Sequence, residues 1–312
     1  MNQTQIIQGR PFGAQELAQV QALLTDHPDW SRRRLSLQLA QLWAWRTPTG
    51  QLKDMAARTL LLKLEGRGWI QLPTRRHAPP KRMGSQCRPG LEPPPDPEPL
   101  RGSLASLLPL SFTEVSAPAL RSERTLFKAL LQQYHYLSYH HPVGQNLQYL
   151  VRARQGTPVA CVLLGAAAWQ CAARDRYVGW DASTRARQLP FLANNTRFLI
   201  LPWVRVPALA SHVLSRMIRQ MRRDWQAKYG HPLYLLETFV QCDRFAGTAY
   251  QAANWVWVGQ TKGRSRQDRA DGKQQQVPIK DIYLYPLHPR FRQRLQGESV
   301  PLLHPSTPPH YL

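Results

Sequence analysis

Acidic side chains in apolar surroundings are the first candidates for chemistry, because the chain has only 19 Asp and Glu against 41 Lys and Arg. Glu237 lies in an apolar, strand-like segment, and Asp243 follows in a turn. A buried carboxylate is costly unless it is paired or functional. Converging carboxylates could hold Mg²⁺ for phosphodiester cleavage, which makes these two residues candidate catalytic residues and metal ligands. The alternative is structural pairing with Arg197, Arg205 or Arg244.

A second concentration of reactive side chains comprises His135, Tyr136, Tyr139, His140 and His141. A tyrosine nucleophile beside histidine-bound metal would suit single-strand nicking. However, adjacent histidines on a strand point to opposite faces, so His140 and His141 do not form such a pair. We therefore expect these aromatic side chains to pack in the core or to stack on DNA.

Basic residues are concentrated in a polar loop over residues 261–280. Lys262, Arg264, Arg266 and Arg269 are candidate phosphate contacts in this loop. The alternative interpretation is a solvated loop without a partner.

The elements that would position a DNA-binding surface lie in the N-terminal segment. Apolar spacing predicts a helix over Gly13–Leu24, a second helix capped by Ser31, and a third over Gln51–Leu64 with Met55 and Thr59 inward. A short strand is predicted over Trp69–Pro73. This order is typical of a winged helix-turn-helix over residues 1–76.

Polar and basic residues remain on the outer faces of these predicted helices and on the arm that follows. The alternative to DNA binding is a helical protein-interaction module with a charged face. The candidate DNA-binding residues are Arg32, Arg33, Arg34, Gln51, Lys53, Arg58, Arg75 and Arg76.

Composition divides the rest of the chain into three parts. A Pro-rich basic linker is predicted over residues 77–109, an α/β domain over residues 110–294, and a Pro-rich tail over residues 295–312. Within the α/β domain, strand-like and helix-like segments alternate, including a long helix over Ala208–Tyr229. The predicted fold class is α+β.

Part of this domain resembles the GNAT acetyltransferase core. The segment Val204–Pro207, the long helix and the later segment Tyr250–Gly259 carry the resemblance. It implies a mixed sheet and a general-acid role for Tyr250 in acyl transfer from coenzyme A. The chain departs from the family where the pyrophosphate-binding turn would lie, because residues 208–212 contain no glycine.

Almost the whole chain resembles the Druantia anti-phage protein DruA family. The resemblance implies a bacterial defence or mobile-element setting, with other proteins of such systems as further partners. It rests on the segments Leu52–Met55, His135–Leu137, Val143–Leu147, Asn194–Ile200, Leu236–Phe239, Gly263–Asp268 and Lys280–Leu287.

Net charge decides between the classes of partner. A charge of +22 on 312 residues favours a polyanion, and nucleic acid fits better than an acidic membrane.

No leader or membrane span is recognisable, so a cytoplasmic location is expected. The four cysteines lack metal-ligand spacing and are expected to be buried without zinc. The sequence thus predicts a DNA-binding protein, with metal-dependent cleavage or transposition and acyl transfer as alternatives.

Overall fold

The computed structural model describes residues 5–8, 10–74, 98–263 and 277–297, and it divides the chain into two compact units. Unit 1 is Met1–Cys87 and unit 2 is Arg88–Leu312. The division falls within the stretch predicted to be a linker, although Leu100–Leu107 in that stretch forms a short strand and a 3₁₀ turn.

Unit 1 consists of a β-hairpin followed by three helices. Strands β1 (Gln5–Ile7) and β2 (Arg10–Phe12) pair antiparallel, and they precede α1 (Ala14–Asp26), α2 (Arg32–Leu42) and α3 (Asp54–Gly66). As predicted, the Ser31 side chain caps α2 by accepting a hydrogen bond from the Arg34 N–H at 3.2 Å. Buried leucines on α2 and α3 and Val20 on α1 form the core of this unit.

Two predictions for unit 1 are wrong. Residues Trp69–Pro73 form no strand: the Trp69 ring stacks on Phe12, Leu72 is buried, and the Pro73 carbonyl accepts a hydrogen bond from Arg32. The third helix buries Ala57 and Leu61 rather than Met55 and Thr59, so its inward face is rotated from the predicted one. The described residues show a three-helix unit, and a winged helix-turn-helix is not demonstrated.

Unit 2 is built on one mixed sheet, so the predicted α+β class is confirmed. Its strands are β3 (Leu100–Arg101), β4 (Ser111–Glu114), β5 (Leu147–Arg152), β6 (Pro158–Ala166), β7 (Leu192–Ile200), β8 (Val204–Arg205), β9 (Leu235–Gln241), β10 (Val256–Gln260) and β11 (Lys280–Pro286). Its helices are α4 (Arg121–Tyr134), α5 (Ala172–Val178), α6 (Ala182–Gln188), α7 (Leu209–Tyr229), α8 (Thr248–Ala252) and α9 (Phe291–Gln296).

Within the described residues, the main sheet has the strand order β10-β11-β9-β7-β6-β5-β4. All neighbours in it are antiparallel except β7 and β9, which run parallel, and β3 pairs with β8 separately. Helix α7 buries Val213, Met217, Met221 and Trp225, because these residues recur at helical spacing on one face. The described helices include none that is long and apolar enough to cross a membrane.

The parallel pair β7 and β9 separates along its length. Their ladder covers only Leu192–Asn195 and Leu235–Thr238, although β7 continues to Ile200 and β9 to Gln241. The register between β6 and β7 also shifts here: Leu163 pairs with Arg197 and Leu164 with Asn195, which leaves Thr196 as an extra residue. A β-bulge redirects neighbouring side chains, so polar residues of β7 face the opening between the two strands.

Candidate functional site

The opening between β7 and β9 forms a cavity of about 350 Å³, which we call the cleft. Residues 194–197 of β7 line one side, and residues 261–263 with the start of β11 line the other. The polar residues that define the cleft are Asn194, Asn195, Arg197, Lys262 and Lys280. Three cations therefore face one cavity, and no described carboxylate lines it.

Arg197 is held in place by backbone carbonyls rather than by an acid. Its guanidinium donates to the carbonyls of Thr196 at 2.7 Å, Ser138 at 2.9 Å and Leu137 at 3.3 Å. An arginine has five N–H donors, so two remain for a ligand. Partial burial lowers the pKa of Arg197 from its ordinary value, but a guanidinium stays charged at neutral pH.

Lys280 supplies a second cation whose described surroundings contain no ion-pair partner. Burial, reinforced by the nearby charge of Arg197, lowers the pKa of Lys280 from 10.5. Its neighbour Asp281 points to the other face of β11, where it accepts hydrogen bonds from Trp257 and Gln260. Lys262 is exposed beside them. An anion in the cleft would relieve the repulsion among these cations.

Two asparagine side chains complete the polar lining. The side-chain oxygens of Asn194 and Asn195 are buried without a hydrogen-bond partner within the described part of the chain. Buried polar atoms are nearly always satisfied, so these two oxygens can accept a hydrogen bond from a donor in the cleft. The Asn195 NH₂ group already donates to the Tyr250 hydroxyl at 3.4 Å, whereas Asn194, turned over, would present its NH₂ group to an anion.

Tyr250, the predicted general acid, lies behind the cleft in the core. It is 8% exposed, and its hydroxyl lies 3.4 Å from both the Asn195 amide and the Thr238 hydroxyl. Burial raises the pKa of Tyr250, and its ring packs against Trp255 and Tyr283. Tyr250 does not line the cleft itself, and its hydroxyl contacts one residue that does, Asn195.

Glu237 forms a buried ion pair with Arg174 rather than facing the cleft. The Glu237 carboxylate lies 2.8 Å from the guanidinium, and both side chains are 0% exposed. It also accepts the Ala168 N–H at 2.6 Å. Complete burial raises the pKa of Glu237, and Arg174 opposes this effect. The same guanidinium contacts Asp175, which binds Arg185 in turn.

Asp243 is exposed in the turn after β9 and has no described ion-pair partner. Across the described ranges, no group of three or more His, Cys, Asp or Glu side chains could hold a metal ion. Of the cysteines, Cys161 and Cys171 are buried, whereas Cys242 is exposed, contrary to expectation, because it begins the turn after β9. Cys87 lies outside the described residues.

Six of the eight candidate DNA-binding residues of unit 1 lie in the described part of the chain. Arg32 makes a bidentate ion pair with Glu65 at 2.9 and 3.0 Å, so its guanidinium holds α2 to α3. Arg33 and Gln51 are exposed, and Arg34 lies over the Trp30 ring at 4.4 Å. Lys53 and Arg58 are half-buried at the start and on one side of α3. The remaining candidates, Arg75, Arg76, Arg264, Arg266 and Arg269, lie outside the described residues.

A second, larger cavity of about 700 Å³ lies along α7, and we call it the α7 groove. Arg216, Arg219 and Arg223 line it from one side, and Leu108 and Phe112 contribute to its apolar floor. None of the three arginines has an ion-pair partner among the residues that the structure describes. The groove lies beside β4, at the far edge of the sheet from β10 and β11.

Sequence reasoning did not assign a ligand-binding role to Asn194, Asn195 or Arg197. The available signal was the run of polar residues inside the strand-like segment 194–197, which interrupts an otherwise apolar pattern. Arg197 was one of three alternative partners for Glu237 or Asp243, whereas the structure places it against carbonyls of the segment after α4.

The fold and cleft define a mixed α+β domain with a cationic opening in its sheet. Residues 98–293 match the Druantia protein DruA family, and the chain belongs to that family, as its sequence motifs predicted. None of the curated proteins matches the chain.

Solved structures similar to this chain include acetyltransferases. One is the spermidine N-acetyltransferase of Vibrio cholerae in complex with CoA and spermine, at 12% identity and a TM-score of 0.34, covering 56% of this chain and 94% of that one. Another is a putative phosphinothricin N-acetyltransferase, at 11% identity and a TM-score of 0.37, covering 57% of this chain and 99% of that one.

Proposed function

We propose that this protein binds nucleic acid through phosphate contacts in the cleft. Its membership of the DruA family suggests that this binding serves anti-phage defence. The observation that carries the proposal is the cleft itself. Arg197, Lys262 and Lys280 face one cavity with no carboxylate among the described lining residues. Such a site has spare cationic donors, which are suited to a phosphate.

The whole-chain charge supports a polyanion rather than a single small anion. A net charge of +22 costs stability through self-repulsion, which a phosphate backbone would relieve. Each phosphate contact also releases a counterion, so affinity accumulates along the strand. The three arginines of the α7 groove provide a second surface for the same backbone.

Unit 1 is proposed to add contacts to DNA through the exposed faces of α2 and α3. Arg33 and Gln51 are accessible for this purpose, whereas Arg32 is committed to Glu65. Arg75, Arg76, Arg264, Arg266 and Arg269 are proposed as further phosphate contacts on sequence grounds alone. Other proteins of the same defence or mobile element remain expected partners.

The two enzymatic alternatives have less support. Metal-dependent cleavage would require Glu237 to leave Arg174, which would strand a buried guanidinium. Acyl transfer would require the Tyr250 hydroxyl to reach a substrate from behind Asn195 and Thr238. Nucleic-acid binding needs neither rearrangement.

The proposal is tested with the full chain and fluorescently labelled DNA, as single strands and as duplex, with Mg²⁺ or with EDTA. We expect binding whose log affinity falls linearly with log salt between about 50 and 200 mM, because phosphate contacts release counterions. The strands should remain intact in both buffers. Absence of binding would contradict the proposal. Mg²⁺-dependent cleavage that Asp243→Asn abolishes would instead establish the nuclease alternative.

A further inference from the structure

Three ring side chains form a ladder beside the cleft. His135 stacks on Tyr136 with ring centres 4.9 Å apart, and Tyr136 contacts Phe245 at 5.4 Å. We call these three residues the aromatic ladder. The Arg244 guanidinium lies 5.2 Å from the centre of the Tyr136 ring. The outermost ring, Phe245, is 48% exposed, so the ladder ends in an open apolar face.

Backbone contacts tie the ladder to the cleft. Leu137 follows Tyr136 directly, lines the cleft, and accepts a hydrogen bond from Arg197 through its carbonyl. Ser138, the second carbonyl acceptor of Arg197, adopts a left-handed backbone conformation with φ of +50°. On the other side, Phe239 of β9 lines the cleft and Phe245 belongs to the turn that follows β9. Phe245 does not line the cleft itself, but it contacts Tyr136, whose chain neighbour Leu137 does, so the exposed ring lies beside the cleft.

The residues around the cleft and the aromatic ladder offer separate contacts for the phosphate and for the base of a nucleotide. Cations suit a phosphate, and an exposed aromatic face beside an arginine suits a planar base. A cavity of about 350 Å³ matches a small-molecule pocket rather than a duplex-sized groove. In a duplex the bases are already stacked on one another, so only an unpaired base could cover Phe245.

We infer that the cleft and the aromatic ladder together select single-stranded nucleic acid. A base stacks on Phe245, and the adjoining phosphates contact Arg197, Lys262 and Lys280. This inference rests on the proposed function, because it names the form of nucleic acid that the same site binds. Phosphate binding alone does not require an aromatic ring, whereas this inference does.

The test compares Phe245→Ala with the unaltered full chain, using one labelled DNA oligonucleotide of about 20 nucleotides as a single strand and as a duplex. We expect the unaltered protein to bind the single strand more tightly, and Phe245→Ala to weaken that binding about tenfold. Duplex binding should change less than about twofold, and the salt slope should stay the same because no charge is lost. Phe245→Trp should restore single-strand binding.

Tyr177 provides a matched control away from the ladder. Its ring stacks on Phe291 and lies under Arg292 at 4.4 Å, so Tyr177→Leu also removes a ring from an arginine-covered stack. We expect Tyr177→Leu to leave single-strand binding unchanged. Thermal melting of each variant verifies folding, which the exposed Phe245 should not disturb.

Three results separate the inference from the proposed function. If Lys262→Gln weakens binding while Phe245→Ala has no effect on single strands, the inference is wrong and phosphate binding stands. Equal loss on single strands and duplex in Phe245→Ala would also overturn it. If no DNA binds at all, the proposed function is wrong, and the inference that rests on it is wrong as well.

Discussion

Arg174 and Glu237 show how a residue that looks catalytic in sequence can be structural. The guanidinium is fully buried, yet it contacts the Glu237 and Asp175 carboxylates and the Ala168 carbonyl. Since Glu237 also accepts the Ala168 N–H, the pair holds the segment after β6 against β9. Two buried charges are stable here because each satisfies the other.

Glu237→Gln should therefore act on stability rather than on a reaction. The substitution keeps the side-chain shape but leaves the Arg174 charge with less compensation, and we expect a loss of about 3 to 5 kcal/mol in the free energy of unfolding. Urea denaturation measures this loss. Asp181→Asn is the control: Asp181 is an exposed cap of α6, and Asn caps a helix about as well as Asp, so the change should be below about 0.5 kcal/mol. A stable Glu237→Gln protein would contradict the structural role.

At the scale of elements, α7 serves two surfaces at once. Its apolar face packs under the sheet, and its outer face presents Arg216, Arg219 and Arg223 to the α7 groove. These positions lie three and four residues apart, so they form one row on a helix. A row of arginines along about 10 Å of helix suits consecutive phosphates of one strand better than a single anion.

Arg219→Gln tests whether this row contributes to binding. We expect weaker nucleic-acid binding and a salt slope that falls by about one unit, because one phosphate contact is lost. Arg187→Gln removes the same charge from α6, where the guanidinium contacts Ser183 and Thr184, and should leave the slope unchanged. Identical effects of the two variants would show that α7 contributes only general charge.

Elements with strong local patterns were predictable from sequence. The three helices of unit 1 and α7 all occur where apolar periodicity indicated them. Strand β11 was missed: its start was assigned to the basic loop, and the sequence does not show that it inserts between β9 and β10. The short strand at Trp69–Pro73 was wrong because its apolar residues serve the helical core.

The candidate site was less predictable than the elements. Glu237 was recognisable because acidic residues are scarce and its neighbours are apolar. Its partner Arg174, however, lies 63 residues away along the chain, and residue spacing cannot reveal such a contact. The cleft depends on the bulge at Thr196 and on the separation of β7 from β9, which are properties of pairing rather than of either strand alone. Lys262 was predicted from the loop, whereas Arg197 required the structure.

At the scale of the whole molecule, five of the 19 acidic residues form ion pairs within the described part of the chain. Glu65, Glu114, Glu123, Asp175 and Glu237 all pair with arginine or lysine within the described residues. This use of a small number of acids leaves the cleft and the α7 groove with uncompensated positive charge. Six of the described cations thus line two cavities that a polyanion can reach.

The most direct test of the central claim is a salt titration of single-stranded DNA binding by the Lys262→Gln/Lys280→Gln double variant. Both lysines face the cleft, and Arg187→Gln again serves as the charge control. If the cleft holds phosphates, the double variant should bind more weakly and lose about two units of salt slope. An unchanged affinity and slope in a folded double variant would show that nucleic acid does not bind in the cleft.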